Sequence, residues 1–336
     1  MNEPLLEVEN LKTFFFVRRG VAKAVNGVSF RVNRGEVMGL VGESGCGKSV
    51  TAMSILRLIP SPPGRIVDGR ILFHTSNGTK KPDTVDLLKL SQAEMKAFRG
   101  KRLSVILQDP MTSLNPVYTI GNQVGEIFKL HEGLKGEGLL KKVVSVLSRV
   151  RIANPETRIA DYPHQFSGGM RQRVSMAMSI GCGPELLIAD EPTTALDVTI
   201  QAQLLYLLQQ LQREFGMSII LITHNLGIVA KLCHRVCVMY AGQIVEEGGV
   251  QRIFKEPSHP YTQALMNSVP RLGLKSKQLF SIEGQPPNLL DLPTGCSFWP
   301  RCTYAMAACK EEYPPSFNLD GDDYVRCWKF SQGSAS

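Results

Sequence analysis

The segment Gly42-Glu43-Ser44-Gly45-Cys46-Gly47-Lys48-Ser49 constrains this chain more than any other. It fills every fixed position of the pattern G-x-x-x-x-G-K-S/T and follows the short apolar run Val37-Met38-Gly39-Leu40-Val41. Glycines at these positions let the backbone curl so that successive N–H groups face one anion. A helix entered at Ser49-Val50 adds its positive N-terminal end. Such a loop needs a buried strand before it and a helix after it, so it commits the chain to an α/β architecture. Lys48 has the reach and charge for the β- and γ-phosphates of a nucleotide, and the Ser49 hydroxyl suits a Mg²⁺ ion.

The rest of the chain keeps that alternation. Leu103 to Leu107, Leu186 to Ala189 and Ile219 to Ile222 are short apolar runs of the kind buried on both faces of a parallel sheet. Between them, Leu139, Leu140, Val143, Val144, Leu147 and Val150 recur at helical spacing. Leu204, Leu205, Leu208, Leu211 and Phe215 do the same, and Gly216 is a natural stop. Residues 60–64 and 75–83 read as loops, and 233–247 as a strand, a turn at Ala241-Gly242 and a second strand. From about 257 prolines become frequent and helical periodicity weakens, which predicts a separate module over 257–336.

Bulk properties set the class. With 336 residues, the chain suffices for a large core and a smaller second domain. No run approaches the 18 or so apolar residues of a membrane-spanning helix, and Met1-Asn2-Glu3-Pro4 lacks a signal peptide's pattern. A cytosolic chain is therefore expected, with most of its eight cysteines reduced or metal-bound. The net charge of +8 is compatible with an anionic ligand, nucleic acid or a membrane surface and does not choose among them.

Two further elements narrow the chemistry. The apolar run Leu186-Leu187-Ile188-Ala189 ends in Asp190 and Glu191. A carboxylate at the end of a buried strand suits the shell of a Mg²⁺ ion, and the next one suits a general base on an attacking water. About twenty residues earlier, Ser167-Gly168-Gly169 opens a helical stretch and forms a second candidate anion cradle. Together, the loop at 42–49, Phe166-Ser167-Gly168-Gly169-Met170-Arg171-Gln172-Arg173 and Asp190-Glu191 closely resemble the motifs of the ABC ATPase family. Met170 departs from the glutamine that many members carry there.

That resemblance covers residues 1–256 and implies a P-loop NTPase fold. Its parts would be a RecA-like core, an antiparallel β subdomain and a helical subdomain inserted at about 109–166. It implies that Gln108 is a Mg²⁺ and water ligand that senses a membrane partner. It makes Ala195-Leu196-Asp197 the D-loop, His224 the residue on the γ-phosphate, and Phe15, between Phe14 and Phe16, the aromatic on adenine. At least one of these three phenylalanines is expected in the core. The family geometry implies that each ATP lies between residues 42–50 of one subunit and Ser167, Gly168 and Gly169 of another.

A narrower resemblance spans nearly the whole chain. Gln108 to Pro116, Ala189 to Gln203 (ADEPTTALDVTIQAQ), His259-Pro260-Tyr261-Thr262-Gln263-Ala264-Leu265 and Gly295-Cys296 are similar to the ATPase subunits of oligopeptide/dipeptide importers, in their "D" form. It implies a peripheral protein on the cytoplasmic face of the inner (cell) membrane. Its expected partners are a second, paralogous ATPase subunit, two permease subunits and an extracytoplasmic substrate-binding protein, with no nucleic acid. Nickel, oligosaccharides and antimicrobial peptides are the alternative cargoes. One glycine-rich loop and one signature, with no sustained heptads between them, set the chain apart from DNA-repair and two-cassette translation members.

Cys296, Cys302, Cys309 and Cys327 follow one another as C-x5-C-x6-C-x17-C. Four cysteines suit tetrahedral zinc or an iron–sulfur cluster, and the C-x2-C pairs common in structural zinc sites are missing. The resembling importer subunits carry a 4Fe–4S cluster in this module, which makes the cluster the favoured expectation and Zn²⁺ the alternative. Cys182, Cys233 and Cys237 fall in ATPase segments and are not expected to take part, and Cys46 reads as a packing residue.

Overall fold

The computed structural model describes residues 3–75, 83–108, 113–194, 196–268 and 282–331. The chain forms two compact units. One comprises residues 1–5, 32–36 and 89–221, and the other residues 6–31, 37–88 and 222–336. The described strands are β1 Pro4–Val17, β2 Gly20–Asn33, β3 Val37–Val41, β4 Gly64–Thr75, β5 Asp83–Asp86, β6 Leu103–Ile106, β7 Leu186–Asp190, β8 Ser218–Ile222, β9 Arg235–Tyr240, β10 Gln243–Gly249, β11 Phe317–Asn318 and β12 Tyr324–Val325.

In the first unit the strand order is β8-β7-β6, and β6 runs parallel to β7 with Leu103 opposite Leu186. Every residue of β7 (LLIAD) and β8 (SIILI) is buried, as expected of strands covered on both faces. Helices Gly168–Ile180 and Val198–Phe215 flank them in sequence. The second starts where Asp197 accepts from the backbone N–H groups of Thr199 and Ile200, at 3.1 and 3.0 Å. It ends at Gly216, whose φ of 62° is the left-handed cap read from the sequence.

The described part of the expected insertion is largely helical. Ile120–Glu132 and Gly136–Arg149 are amphipathic helices that bury Ile120, Val124 and Phe128 on one and Val143, Val146 and Leu147 on the other. The two helices meet beside Gly125, where an added Cβ would make ordinary van der Waals contact with Leu139 and Val143 at 3.6 Å. Asp109 to Thr112, in the stretch that opens the expected insertion, lies outside the described residues.

In the second unit, β3 pairs parallel with β9 and β9 antiparallel with β10. The β9–β10 turn has Ala241 and Gly242 both at positive φ, 46° and 82°, the mirror-image turn that matches strand twist. The chain after 257, read as a separate module, contributes β12 to this sheet by pairing with β10, Glu246 opposite Val325. Arg252 reinforces the join through Glu246 at 2.9 Å and Asp323 at 2.6 Å. A second, antiparallel sheet has the order β2-β1-β4-β5. Among the described residues no helix is long and apolar enough to cross a membrane.

Candidate nucleotide site and cysteine cavity

The turn after β3 adopts the conformation its glycines permit. Gly42, Gly45 and Gly47 have φ of 153°, 79° and 108°. A Cβ on Gly42 would collide with the Met239 carbonyl, and one on Gly47 with the Ala24 carbonyl. Helix Lys48–Ile55 begins directly after Gly47. Lys48 is buried, and its ammonium donates to the carbonyls of Gly42 and Glu43 at 2.8 and 2.9 Å. The cation is thus held at the mouth of the loop, while Ser44, Gly45 and Ser49 are exposed. Cys46 is buried, and burial pushes its thiol above the usual range, in keeping with a packing residue.

Asp190 ends β7 and is 3% exposed. The next residue, Glu191, leaves the strand with φ of 45°, a left-handed conformation that costs a non-glycine residue on the order of 1 kcal/mol. Oε2 of Glu191 accepts from the Thr194 hydroxyl at 2.8 Å and from the Gln108 amide at 3.2 Å. Gln108, expected to be a ligand, stands exposed just beyond β6. In the same unit, Ser167 caps helix Gly168–Ile180 by accepting from the Met170 N–H at 3.3 Å, and Gly168 and Gly169 form its first turn. Leu196 of the D-loop packs near Gly168, whereas Ala195 lies outside the described residues.

The sequence-read residues fall in both units. Phe15, the 42–50 segment and His224 belong to the second. Gln108, Ser167, Gly168, Gly169, Asp190, Glu191 and Asp197 belong to the first. His224 is exposed two residues beyond β8. Phe15 lies on β1 opposite Gly64. None of the three phenylalanines is fully buried, although this end of β1 stays paired with β4: Phe14 and Phe15 are half-buried and Phe16 is 50% exposed. The expectation of a core residue among them is corrected accordingly.

One set of loop contacts was not legible from motif spacing. Arg301, 5% exposed, donates to both carboxylate oxygens of Glu43, at 2.7 and 3.0 Å. The Tyr261 hydroxyl accepts from the backbone N–H of Glu43 at 2.8 Å. The only sequence signal was the block His259-Pro260-Tyr261, which carried no role of its own.

Cys296, Cys302, Cys309 and Cys327 line one small cavity with His259, Phe298, Trp299 and Trp328. Cys182, Cys233 and Cys237 are not among its lining residues. Gly295 lies so close to the Cys309 carbonyl that a side chain would collide with it, and the Cys296 N–H donates to that carbonyl at 2.8 Å. Burial pushes the Cys296 thiol up to about 12 and raises Cys302 and Cys327 as well. Among the described residues no group of three or more His, Cys, Asp or Glu is arranged to hold a metal ion. His259 is wholly buried, and desolvation lowers its pKa to about 3, so its ring is neutral. Nδ1 accepts from the Tyr261 N–H at 3.0 Å, which leaves the ring proton on Nε2. That Nε2 has no hydrogen-bond partner among the described residues.

Comparison with known proteins finds likeness in both parts of the chain. The ABC transporter family model matches residues 25–194, and the model described as "Oligopeptide/dipeptide transporter, C-terminal region" matches 245–309. The chain is 48% identical to the dipeptide transport ATP-binding protein DppD of Bacillus subtilis, over 97% of this chain and 95% of that protein. It is also 48% identical to a probable peptide ABC transporter ATP-binding protein of Sinorhizobium fredii, over 98% and 96%. Among solved structures, the cassette cbiO1 of Clostridium perfringens is 28% identical, with a TM-score of 0.60, covering 76% of this chain and 92% of that one. The cassette MJ0796, in a dimer bound to ADP and Pi, shares the fold at 22% identity and a TM-score of 0.62, over 73% and 98%. With both family models matched and close relatives aligned from end to end, this chain belongs to the ABC transporter ATP-binding proteins of the oligopeptide/dipeptide transporter family.

Proposed function

We propose that this chain hydrolyses ATP to energise import of peptides through an ABC transporter. The observation that carries the peptide assignment is the end-to-end likeness to peptide-transport ATP-binding proteins, which includes the C-terminal region as well as the ATPase segment. Residues 1–256 form the nucleotide-binding domain in this reading, with 109–166 as its helical subdomain and 257–336 as its C-terminal module. ATP binds to the 42–50 segment, and Phe15 stacks on its base. Lys48 neutralises the β- and γ-phosphates. Ser49, Asp190 and Gln108 would hold Mg²⁺, which would supply further charge neutralisation at the phosphates.

Glu191 takes the proton of the attacking water, and His224 contacts the γ-phosphate. The hydrogen bonds from Thr194 and Gln108 support that role, because they hold the carboxylate in one orientation. Ser167, Gly168, Gly169 and Asp197 act on the nucleotide of a partner ATPase subunit, a paralogue of this chain. Two permease subunits and an extracytoplasmic binding protein complete the complex, with this chain on the cytoplasmic face of the membrane. The helical subdomain receives the permease, so that closure of the ATPase pair is passed to the membrane.

The cysteine cavity holds a 4Fe–4S cluster in this reading. The donor set fits: four thiols line a cavity walled by Phe298, Trp299 and Trp328, and His259 brings an unsatisfied N–H that sulfur can accept. Four cysteines on one cavity are a donor set for a cluster or for a zinc ion, and the resemblance to the importer subunits is what favours the cluster in this reading. The cluster would cross-link a module that has little core of its own, with Cys296, Cys302, Cys309 and Cys327 as its ligands.

The test is transport in vesicles by the reconstituted complex, with ATP inside and a panel of di- and oligopeptides outside. Peptide-stimulated ATPase activity with peptide accumulation is the expected result. ATP hydrolysis stimulated by nickel or an oligosaccharide, and by no peptide, would reassign the cargo.

A further inference from the structure

Glu43 places a carboxylate on a loop built to bind phosphates. An acidic side chain there opposes the ligand unless something neutralises it. Arg301 does so from the C-terminal module. Its two terminal nitrogens donate to the two oxygens of Glu43 in the forked geometry that suits guanidinium and carboxylate. The remaining donors are also committed: Nε to the Glu283 carbonyl at 2.9 Å, Nη1 to the Tyr240 hydroxyl at 3.2 Å and Nη2 to the Ile282 carbonyl at 3.3 Å. All five N–H groups of the guanidinium are used, and the side chain is 5% exposed, so it has one available position.

A second contact acts on the backbone. Tyr261, fully buried in helix Pro260–Asn267, accepts from the Glu43 N–H at 2.8 Å. Its ring lies 4.5 Å from that of Tyr240 and 5.4 Å from Phe298. The loop residue after Gly42 is therefore fixed twice, through its carboxylate and through its amide, by side chains from outside the nucleotide-binding motifs.

We propose that Arg301 and Tyr261 are positioning residues for nucleotide binding, holding the phosphate loop in register and cancelling the charge that Glu43 would otherwise present to the phosphates. The inference rests on the 42–50 segment being the ATP site. It makes the C-terminal module part of that site's apparatus and gives it a role beyond attachment. Arg301 directly precedes Cys302, one of the cysteines that line the cavity.

The experiment uses the intact transporter complex, with equilibrium binding of a fluorescent ATP analogue read beside steady-state kinetics. Arg301→Gln leaves Glu43 unpaired and is expected to weaken nucleotide binding about tenfold, raising KM for ATP while kcat stays within about twofold. Adding Glu43→Gln to Arg301→Gln removes the stranded charge and is expected to recover most of the lost affinity, which a merely structural defect would not do. Tyr261→Phe keeps the ring and deletes the hydroxyl; an affinity loss of about threefold is expected, and it supplies the test if Arg301→Gln fails to fold. Unchanged affinity in folded Arg301→Gln and Tyr261→Phe, or a double variant no better than Arg301→Gln, overturns the proposal. Lys48→Ala separates the two levels. If it abolishes binding while the Arg301 and Tyr261 variants bind normally, only this inference fails. If Lys48→Ala itself binds normally, the ATP-site reading fails.

Discussion

The side-chain amide of Gln108 donates to the carboxylate of Glu191 at 3.2 Å, and so links the end of β6 to the turn after β7. These strands are parallel neighbours, so their carboxyl ends emerge side by side.

Glu191→Gln keeps the shape of the side chain and removes the proposed base. ATP binding is expected to persist while hydrolysis slows by roughly 10²- to 10⁴-fold. Single-turnover hydrolysis by the reconstituted transporter checks this, and normal turnover would remove Glu191 from the mechanism.

Gly168 has open space beside it, because the nearest heavy atom to an added Cβ is a Leu196 methyl at 3.8 Å. Gly168→Ala is therefore expected to leave the thermal stability of the chain within about 0.5 kcal/mol of the parent. If Ser167, Gly168 and Gly169 approach a nucleotide held by a partner subunit, the same methyl group should cut ATPase activity of the complex at least tenfold. Full activity would place the approach elsewhere.

Arg252 joins Glu246, which is fully buried, to Asp323 at 2.9 and 2.6 Å. Arg252→Ala strands that buried carboxylate, although Glu246 keeps its bonds from the N–H groups of Ser258 and His259. A loss of about 3 kcal/mol is expected in chemical denaturation. Because β12 pairs with β10 beside this cluster, the C-terminal segment should become sensitive to proteolysis at lower denaturant than the rest. A loss below about 1 kcal/mol would show the join to rest on β pairing alone.

Anaerobically purified protein is expected to contain iron and sulfide in equal amounts and to lose both in Cys302→Ser. His259→Ala should retain the iron but change the reduction potential of the centre, because an N–H donor to sulfur stabilises the reduced state. Stoichiometric zinc without iron would replace the cluster by a zinc site, and a metal-free parent would reject both.

Much of this protein was legible in its sequence because local chemistry dictates it. The glycines at 42, 45 and 47, the buried runs of β7 and β8 and the stop at Gly216 each follow from neighbours within a few residues, where steric and hydrogen-bonding rules operate without knowledge of the fold. Residue order likewise marked Asp190 and Glu191 as a strand-end pair. Tertiary structure alone decided which distant side chains meet. No spacing rule connects Arg301 to Glu43 across 258 positions, or brings His259 to the wall of a cavity lined by Cys296, Cys302, Cys309 and Cys327. Those contacts depend on β12 closing against β10 and on Tyr240, Tyr261 and Phe298 packing together, and the free energy that selects them comes from burying surfaces that lie far apart in the chain.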